Sequence, residues 1–77
     1  MNKQAKIVEI IQQVSKKKGT PDTEESLFDS GFLDSFALTD VVAELETAFS
    51  IKIPDSDLNP RKFDSIARIE AYIESRQ

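Results

Sequence analysis

The sequence Gly31-Phe32-Leu33-Asp34-Ser35-Phe36 marks the point where a long loop gives way to an amphipathic helix. Asp34 is well suited to the N-cap of that helix, because its carboxylate can accept a backbone N–H of the first turn. Apolar residues then recur at intervals of three and four, which predicts a helix from about residue 35 to residue 49. The predicted buried face of this helix consists of Leu38, Val41, Val42, Leu45 and Phe49.

The segment before this loop has the same helical spacing and predicts a first helix over about residues 2–17, with Asn2 as its cap. Three lysines lie at its carboxyl end, where the helix dipole favours positive charge, and Gly19 and Pro21 end it. The buried positions of this helix are Ile7, Ile10, Ile11 and Val14.

A last helix is predicted over about residues 66–75, with Asp64 or Ser65 as its cap. Its inward positions are Ile66, Ile69, Tyr72 and Ile73.

The connections between these helices complete the predicted fold. Residues 51–54 are predicted to form an extended connector, since Pro54 disfavours helix at the residue before it. The following segment, up to residue 63, has room for at most one short helix because Pro60 interrupts it. In the long loop, residues 23–27 favour a short helical turn, and the expected core anchors are Leu27, Phe28, Phe32 and Leu33. The sequence therefore predicts a single all-α domain over residues 1–77: a bundle of three main helices and one short helix, with a long loop after the first.

Composition excludes several kinds of site. The chain has no cysteine and no histidine, which removes disulfides, thiolate catalysis, the usual zinc ligands and the commonest general base. We expect no metal site. A calcium loop built around Gly31 would place Ala37 where the bidentate glutamate belongs, so that assignment fails. The sequence shows no signal peptide and no membrane-spanning segment, and we expect a cytoplasmic monomer.

Charge is distributed unevenly along the chain. Residues 19–59 hold ten acidic residues and one basic residue, whereas the rest of the chain carries an excess of five positive charges. This acidic middle argues against a nucleic-acid partner, because phosphate backbones are neutralised by Lys and Arg. It suits transient docking to basic patches on proteins, although a simple solvated surface explains the same charges.

Asp-Ser occurs four times, so the dipeptide alone identifies nothing: both residues are common caps and turn formers. Ser30 lies inside the loop, Ser56 precedes a proline-interrupted segment, and Ser65 is placed to cap the last helix. Only Ser35 follows Gly-apolar-Leu-Asp and opens a long amphipathic helix. With no obvious catalytic partner in sequence, such a serine is better suited to being modified than to doing chemistry.

The stretch from Gly31 to Phe36, the helix that follows and the Ile-Lys-Ile-Pro connector resemble the acyl carrier protein family over most of the chain. The resemblance implies a non-catalytic carrier whose Ser35 receives 4′-phosphopantetheine from coenzyme A through a phosphopantetheinyl transferase, with Asp34 as motif neighbour and helix cap. It implies acyl cargo held as a thioester, in a lipid or polyketide-type pathway. Enzymes that load and use the cargo would dock on the acidic face of the second helix, at Phe36, Thr39, Asp40, Ala43 and Glu44.

Some residues depart from the pattern of housekeeping fatty-acid carriers. Phe36 replaces the usual leucine, and the segment 57–64 is more polar and basic than in those proteins. That segment is similar to carriers of activated amino acids, including D-alanyl carriers. The departures favour a specialised pathway carrier.

Three alternatives remain open. One is an amino-acyl (D-alanyl or peptidyl) carrier, which shares Ser35 and the arm and differs in cargo and partners. Another is an unmodified helical interaction module in which Ser35 merely begins a helix. The last is an enzyme using Ser35 with a lysine base, although no lysine neighbours that serine in sequence.

Overall fold

A computed structural model describes residues 3–76 and contains three α-helices. Helix α1 spans Lys3–Ser15, α2 spans Ser35–Phe49 and α3 spans Ile66–Arg76, with a short 3₁₀ helix at Asp55–Asp57. Helix α1 packs against both α2 and α3. Within residues 3–76 no strand is present. The predicted all-α bundle of three main helices and one short helix, with a long loop after the first, is confirmed.

The end of α1 differs from the prediction. The helix stops at Ser15 instead of continuing to residue 17, because Lys16 adopts a left-handed backbone with φ 60°. Such a conformation interrupts helical hydrogen bonding. The Gln12 side chain stabilises the turn by donating to the carbonyl oxygens of Lys18 (3.2 Å) and Gly19 (3.0 Å). The lysines therefore follow the helix instead of forming its last turn, and the predicted Asn2 cap lies outside the described residues.

The other two helices lie where the sequence predicted. Helix α2 has the predicted bounds, and α3 extends one residue further than expected. Ser65 caps α3: its Oγ accepts the Arg68 backbone N–H at 3.2 Å, and its carbonyl oxygen accepts from Ile69 at 2.9 Å. Of the two predicted candidates, Ser65 is the cap, while the Asp64 carboxylate accepts a hydrogen bond from Ser26.

One cluster of buried apolar side chains joins the helices and the loops between them, and this burial is the main stabilising contribution. Its largest fully buried members are Phe63, Ile7, Ile10, Ile11, Leu27, Leu45, Ile66, Ile69, Ile73 and Val41. Several predicted core residues lie at its edge and are only partly buried: Val14, Phe28, Phe32, Phe49 and Tyr72. Tyr72 is held there because its hydroxyl reaches a polar partner, the carboxylate of Asp57.

The long loop between α1 and α2 is tied to the start of α3 by three hydrogen bonds. The Leu27 backbone N–H donates to the Asp64 carbonyl oxygen at 2.6 Å, and the Ser26 hydroxyl donates to the Asp64 carboxylate at 2.7 Å. The Ala67 N–H donates to the Thr23 carbonyl oxygen at 2.9 Å. Local bonds make turns at residues 23–24 and 27–31, such as the one from the Ser30 N–H to the Ser26 carbonyl oxygen at 3.0 Å, and the helical turn predicted over residues 23–27 does not form. The loop that leads to α2 is therefore fixed against the core.

Tyr72 connects α3 to the 3₁₀ helix. Its hydroxyl donates to the Asp57 carboxylate at 2.6 Å, and Lys62 donates to the same carboxylate at 3.0 Å. Burial, followed by the hydrogen bond to Asp57, raises the pKa of Tyr72 from 10.0 to about 12. The hydrogen bond from Tyr72 lowers the pKa of Asp57.

This raised pKa predicts a loss of stability in alkaline solution. Folding favours the neutral phenol, so its contribution is complete below pH 10.0 and is lost as the pH rises from 10.0 to about 12. We expect the urea midpoint to fall across that interval more steeply for the native protein than for Tyr72→Phe. Because Tyr72 is the only tyrosine, its phenolate absorbance can be followed directly. A phenolate midpoint near that of free tyrosine would contradict the prediction.

Candidate functional site

The start of α2 presents Ser35 at the protein surface. Asp34 is the N-cap, with an extended backbone, and its carboxylate accepts the Ala37 backbone N–H at 2.7 Å. The Asp34 carbonyl oxygen accepts the first helical hydrogen bond, from Leu38, at 2.9 Å. Ser35 is thus the first helical residue, and its side chain is exposed. Asp34 and Ser35 lie together where the sequence placed them.

The hydroxyl of Ser35 has no hydrogen-bond partner within residues 3–76, which separates it from two of the other Asp-Ser serines. Ser65 is buried and caps α3, and the Ser30 hydroxyl donates weakly to the Leu27 carbonyl oxygen at 3.4 Å. Ser56 is also exposed, but it lies inside a three-residue 3₁₀ helix. Of the four Asp-Ser serines, all within the described residues, Ser35 alone combines an exposed, unengaged hydroxyl with the first position of a long helix.

The approach to Ser35 is built by the loop. Gly31 has φ +88°, a left-handed conformation that favours glycine, and its N–H donates to the Phe28 carbonyl oxygen at 3.2 Å. Leu33 is buried, and its N–H donates to the Leu27 carbonyl oxygen at 3.0 Å. Leu33 is anchored in the core two residues before Ser35. The chain therefore reaches the surface at Asp34, and Ser35 faces solvent.

The solvent-facing side of α2 continues from Ser35. The five residues predicted to contact partners are all exposed and recur at helical spacing on the side opposite the core; they are Phe36, Thr39, Asp40, Ala43 and Glu44. Phe36 is 88% exposed, a large aromatic side chain in water directly after Ser35. Aromatic side chains, phenylalanine included, are enriched in the cores of protein–protein interfaces.

The chemistry available at this site is limited. A serine nucleophile needs a base, and in the described chain no lysine or carboxylate is hydrogen-bonded to the Ser35 hydroxyl. Lys17 approaches the preceding loop, where its Nζ lies 5.9 Å from the centre of the Phe32 ring. A group attached to Ser35 would instead lie near the first N–H groups of α2, which have no acceptor within the helix and favour an anion. The site therefore fits an attached phosphate better than catalysis.

The sequence did not reveal two features around α2. The Glu46 carboxylate accepts the Ile53 backbone N–H at 2.8 Å and so fixes the connector after α2. Lys16, at the end of α1, shares an open surface hollow with Asp40 and Glu44. The Glu46 bond depends on the turn after α2, whose geometry has no sequence motif. The hollow joins residues that are far apart in sequence.

Comparison with known proteins finds similar sequences over most of the chain. A family model described as "Phosphopantetheine attachment site" matches residues 5–73. D-alanyl carrier proteins of Streptococcus pyogenes serotype M5 (strain Manfredo), serotype M49 (strain NZ131) and serotype M1 are each 28% identical over 71 residues. Each match covers 92% of this chain and 90% of the relative. The matched regions contain Asp34, Ser35 and the whole of α2.

Proposed function

This chain belongs to the phosphopantetheine attachment site family, and we propose that it carries an activated amino acid, with a D-alanyl group as cargo, on an arm attached to Ser35. Membership implies covalent 4′-phosphopantetheine as the cofactor, and the carrier itself is not a catalyst. The arm supplies a thiol, absent from the chain itself, that holds the cargo as a thioester.

The observation that carries the attachment site is the exposed Ser35 hydroxyl at the start of α2, which has no hydrogen-bond partner among residues 3–76. A phosphodiester needs a side-chain oxygen that a transferase can reach, and this serine offers one. The N–H groups of Ser35 and Phe36 lie in the first turn and have no intrahelical acceptor, so they favour the phosphate. Asp34 opposes the phosphate charge, but the bond to Ala37 orients its carboxylate toward the helix.

Two observations favour an amino-acyl cargo over the lipid or polyketide acyl group that the sequence first suggested. The relatives named D-alanyl carrier proteins match over nearly the whole chain. In addition, Val41, Leu45 and Ile66 are fully buried in one packed cluster. A long acyl chain sheltered between the helices would have to separate these side chains, at a cost in packing, whereas a D-alanyl group would remain outside them.

We further propose that partner enzymes dock on the exposed face of α2. Asp40 and Glu44 supply negative charge for steering, and Phe36 supplies apolar area beside the arm. Thr39 and Ala43 lie between them and are small enough to allow close approach. These partners are the phosphopantetheinyl transferase and the enzymes that load and use the cargo.

A loading experiment tests the cargo. The protein carrying its arm is incubated with ATP and D-alanine plus a D-alanine-adenylating enzyme, or with ATP and palmitate plus a fatty-acyl-adenylating enzyme, and its intact mass is measured. We expect one D-alanyl increment, lost on treatment with hydroxylamine because that reagent cleaves thioesters. Ser35→Ala should gain nothing in either reaction. Loading of palmitate without loading of D-alanine would overturn the amino-acyl cargo and restore the lipid alternative.

A further inference from the structure

The turn after α1 displays three exposed lysines, Lys16, Lys17 and Lys18, which we call the lysine corner. The ion pairs formed within residues 3–76 involve other cations, namely Lys3, Lys6 and Lys62, so the lysine corner has no carboxylate partner there. In a chain with a net charge of −4, this is a concentrated positive surface.

Local bonds hold the lysine corner in a defined shape. The Lys16 N–H donates to the Gln12 carbonyl oxygen at 2.8 Å, and the Lys17 N–H donates to the Ser15 hydroxyl oxygen at 3.2 Å. The Gln12 side chain binds the carbonyl oxygens of Lys18 and Gly19. The backbone of the corner, from which the three flexible lysine side chains extend, is therefore held in one conformation.

The lysine corner adjoins the proposed docking face of α2. Lys16, Gln13 and Val14 line one side of an open hollow of about 310 Å³, and Asp40, Ala43 and Glu44 line the other. Lys16 forms no ion pair within 4 Å with either carboxylate, so both signs of charge remain available across a shared concave surface. The surface shared by α2 and the turn after α1 is thus bipolar: acidic along α2 and basic at the end of α1.

We propose that the lysine corner is the second half of the docking surface and contacts acidic side chains on the phosphopantetheinyl transferase while α2 contacts basic ones. The inference rests on the proposed attachment at Ser35, not on the D-alanyl cargo. Charges of one sign along a single helix leave a partner free to rotate about that helix. Charges of opposite sign on two adjacent elements fix the rotation of the partner about α2. The corner therefore positions the carrier so that Ser35 faces the transferase active site.

Charge complementarity favours a protein over a membrane as the occupant. An anionic lipid surface that attracted the lysines would also meet Asp40 and Glu44 across the same hollow, and it would repel them. A folded partner can place acidic and basic groups to match each side.

The test reverses the charge of Lys16 and Lys18 in the folded protein lacking its arm. Lys17 is left in place because it packs on Phe32. The matched control, Lys52→Glu with Arg68→Glu, changes net charge equally at exposed positions outside the hollow. Arm transfer from coenzyme A by a broad-specificity phosphopantetheinyl transferase is followed by intact mass. At low ionic strength, kcat/KM should fall about tenfold for Lys16→Glu with Lys18→Glu and less than about twofold for the control. The difference should shrink as salt screens the charges.

The possible outcomes separate this inference from the proposed function. Equal kcat/KM values for the two double variants, with normal modification of the native protein, would overturn the role of the lysine corner alone. Binding of the native protein to phosphatidylglycerol vesicles, lost on reversing Lys16 and Lys18 while kcat/KM stays unchanged, would assign the corner to a membrane instead. Failure of the transferase to modify the folded native protein would overturn both proposals. Circular dichroism of each variant excludes unfolding as the cause.

Discussion

Ser35→Ala is expected to abolish attachment of the phosphopantetheine arm, taking the modified fraction from near completion to zero. The phosphodiester requires a side-chain oxygen, and alanine has none. The fold should remain, because the Ser35 hydroxyl makes no hydrogen bond in the described chain and alanine favours helix. We expect its free energy of unfolding to stay within about 0.5 kcal/mol of the native value. Intact mass after incubation with coenzyme A and transferase, together with urea denaturation, measures both effects.

Ser56→Ala is the matched control for this variant. Ser56 also follows an aspartate and is also exposed, so its hydroxyl is equally accessible to solvent. The control should be modified as completely as the native protein. Modification of Ser35→Ala, or loss of modification in Ser56→Ala, would contradict the assignment of the attachment site.

Phe63→Ala is expected to lower the free energy of unfolding by about 3–5 kcal/mol. Phe63 is fully buried, and its ring meets the Tyr72 ring edge-on at 5.2 Å between centroids. It anchors the segment before α3, to which the long loop is hydrogen-bonded. A domain of this size is stable by only about 4–12 kcal/mol, so the variant should lose a large share of its stability and unfold at a much lower urea concentration. Urea denaturation followed by circular dichroism measures the change.

Leu58→Ala is the control for Phe63→Ala, since Leu58 lies in the same segment but is 36% exposed. We expect it to cost less than about 1 kcal/mol. A cost for Phe63→Ala no greater than that of Leu58→Ala would mean that the segment before α3 does not depend on this ring.

The helix bounds predicted from the sequence agree best with the structure where several local signals specify the same helix. For α2, the Asp34 cap and the regular spacing of Leu38, Val41, Val42 and Leu45 specify the same helix, and the bounds match. For α1, the apolar spacing predicted the helix but not its end. The end depends on a left-handed residue, Lys16, and on a side-chain cap from Gln12, and neither has a sequence signature.

The surroundings of the candidate site were predicted less fully because they depend on distant residues. The bonds from Leu27 and Ser26 to Asp64 join segments nearly forty positions apart, and no local pattern encodes them. The hollow shared by Lys16 and Asp40 arises only when α1 packs on α2. In contrast, the choice of Ser35 among four Asp-Ser pairs relied on its helical context, which is local, and the structure places it at the predicted helix start.

The central claim, that Ser35 carries the arm, is tested most directly by locating the modification within the chain. Trypsin separates residues 19–52, which include Ser35, from the peptides that hold Ser15, Ser56, Ser65 and Ser75. Fragmentation of that peptide by tandem mass spectrometry then distinguishes Ser35 from its remaining serines, Ser26, Ser30 and Ser50. We predict a single phosphopantetheine group on Ser35. A phosphopantetheine group on any other serine, or none on folded protein that lacked the arm beforehand, would contradict the claim.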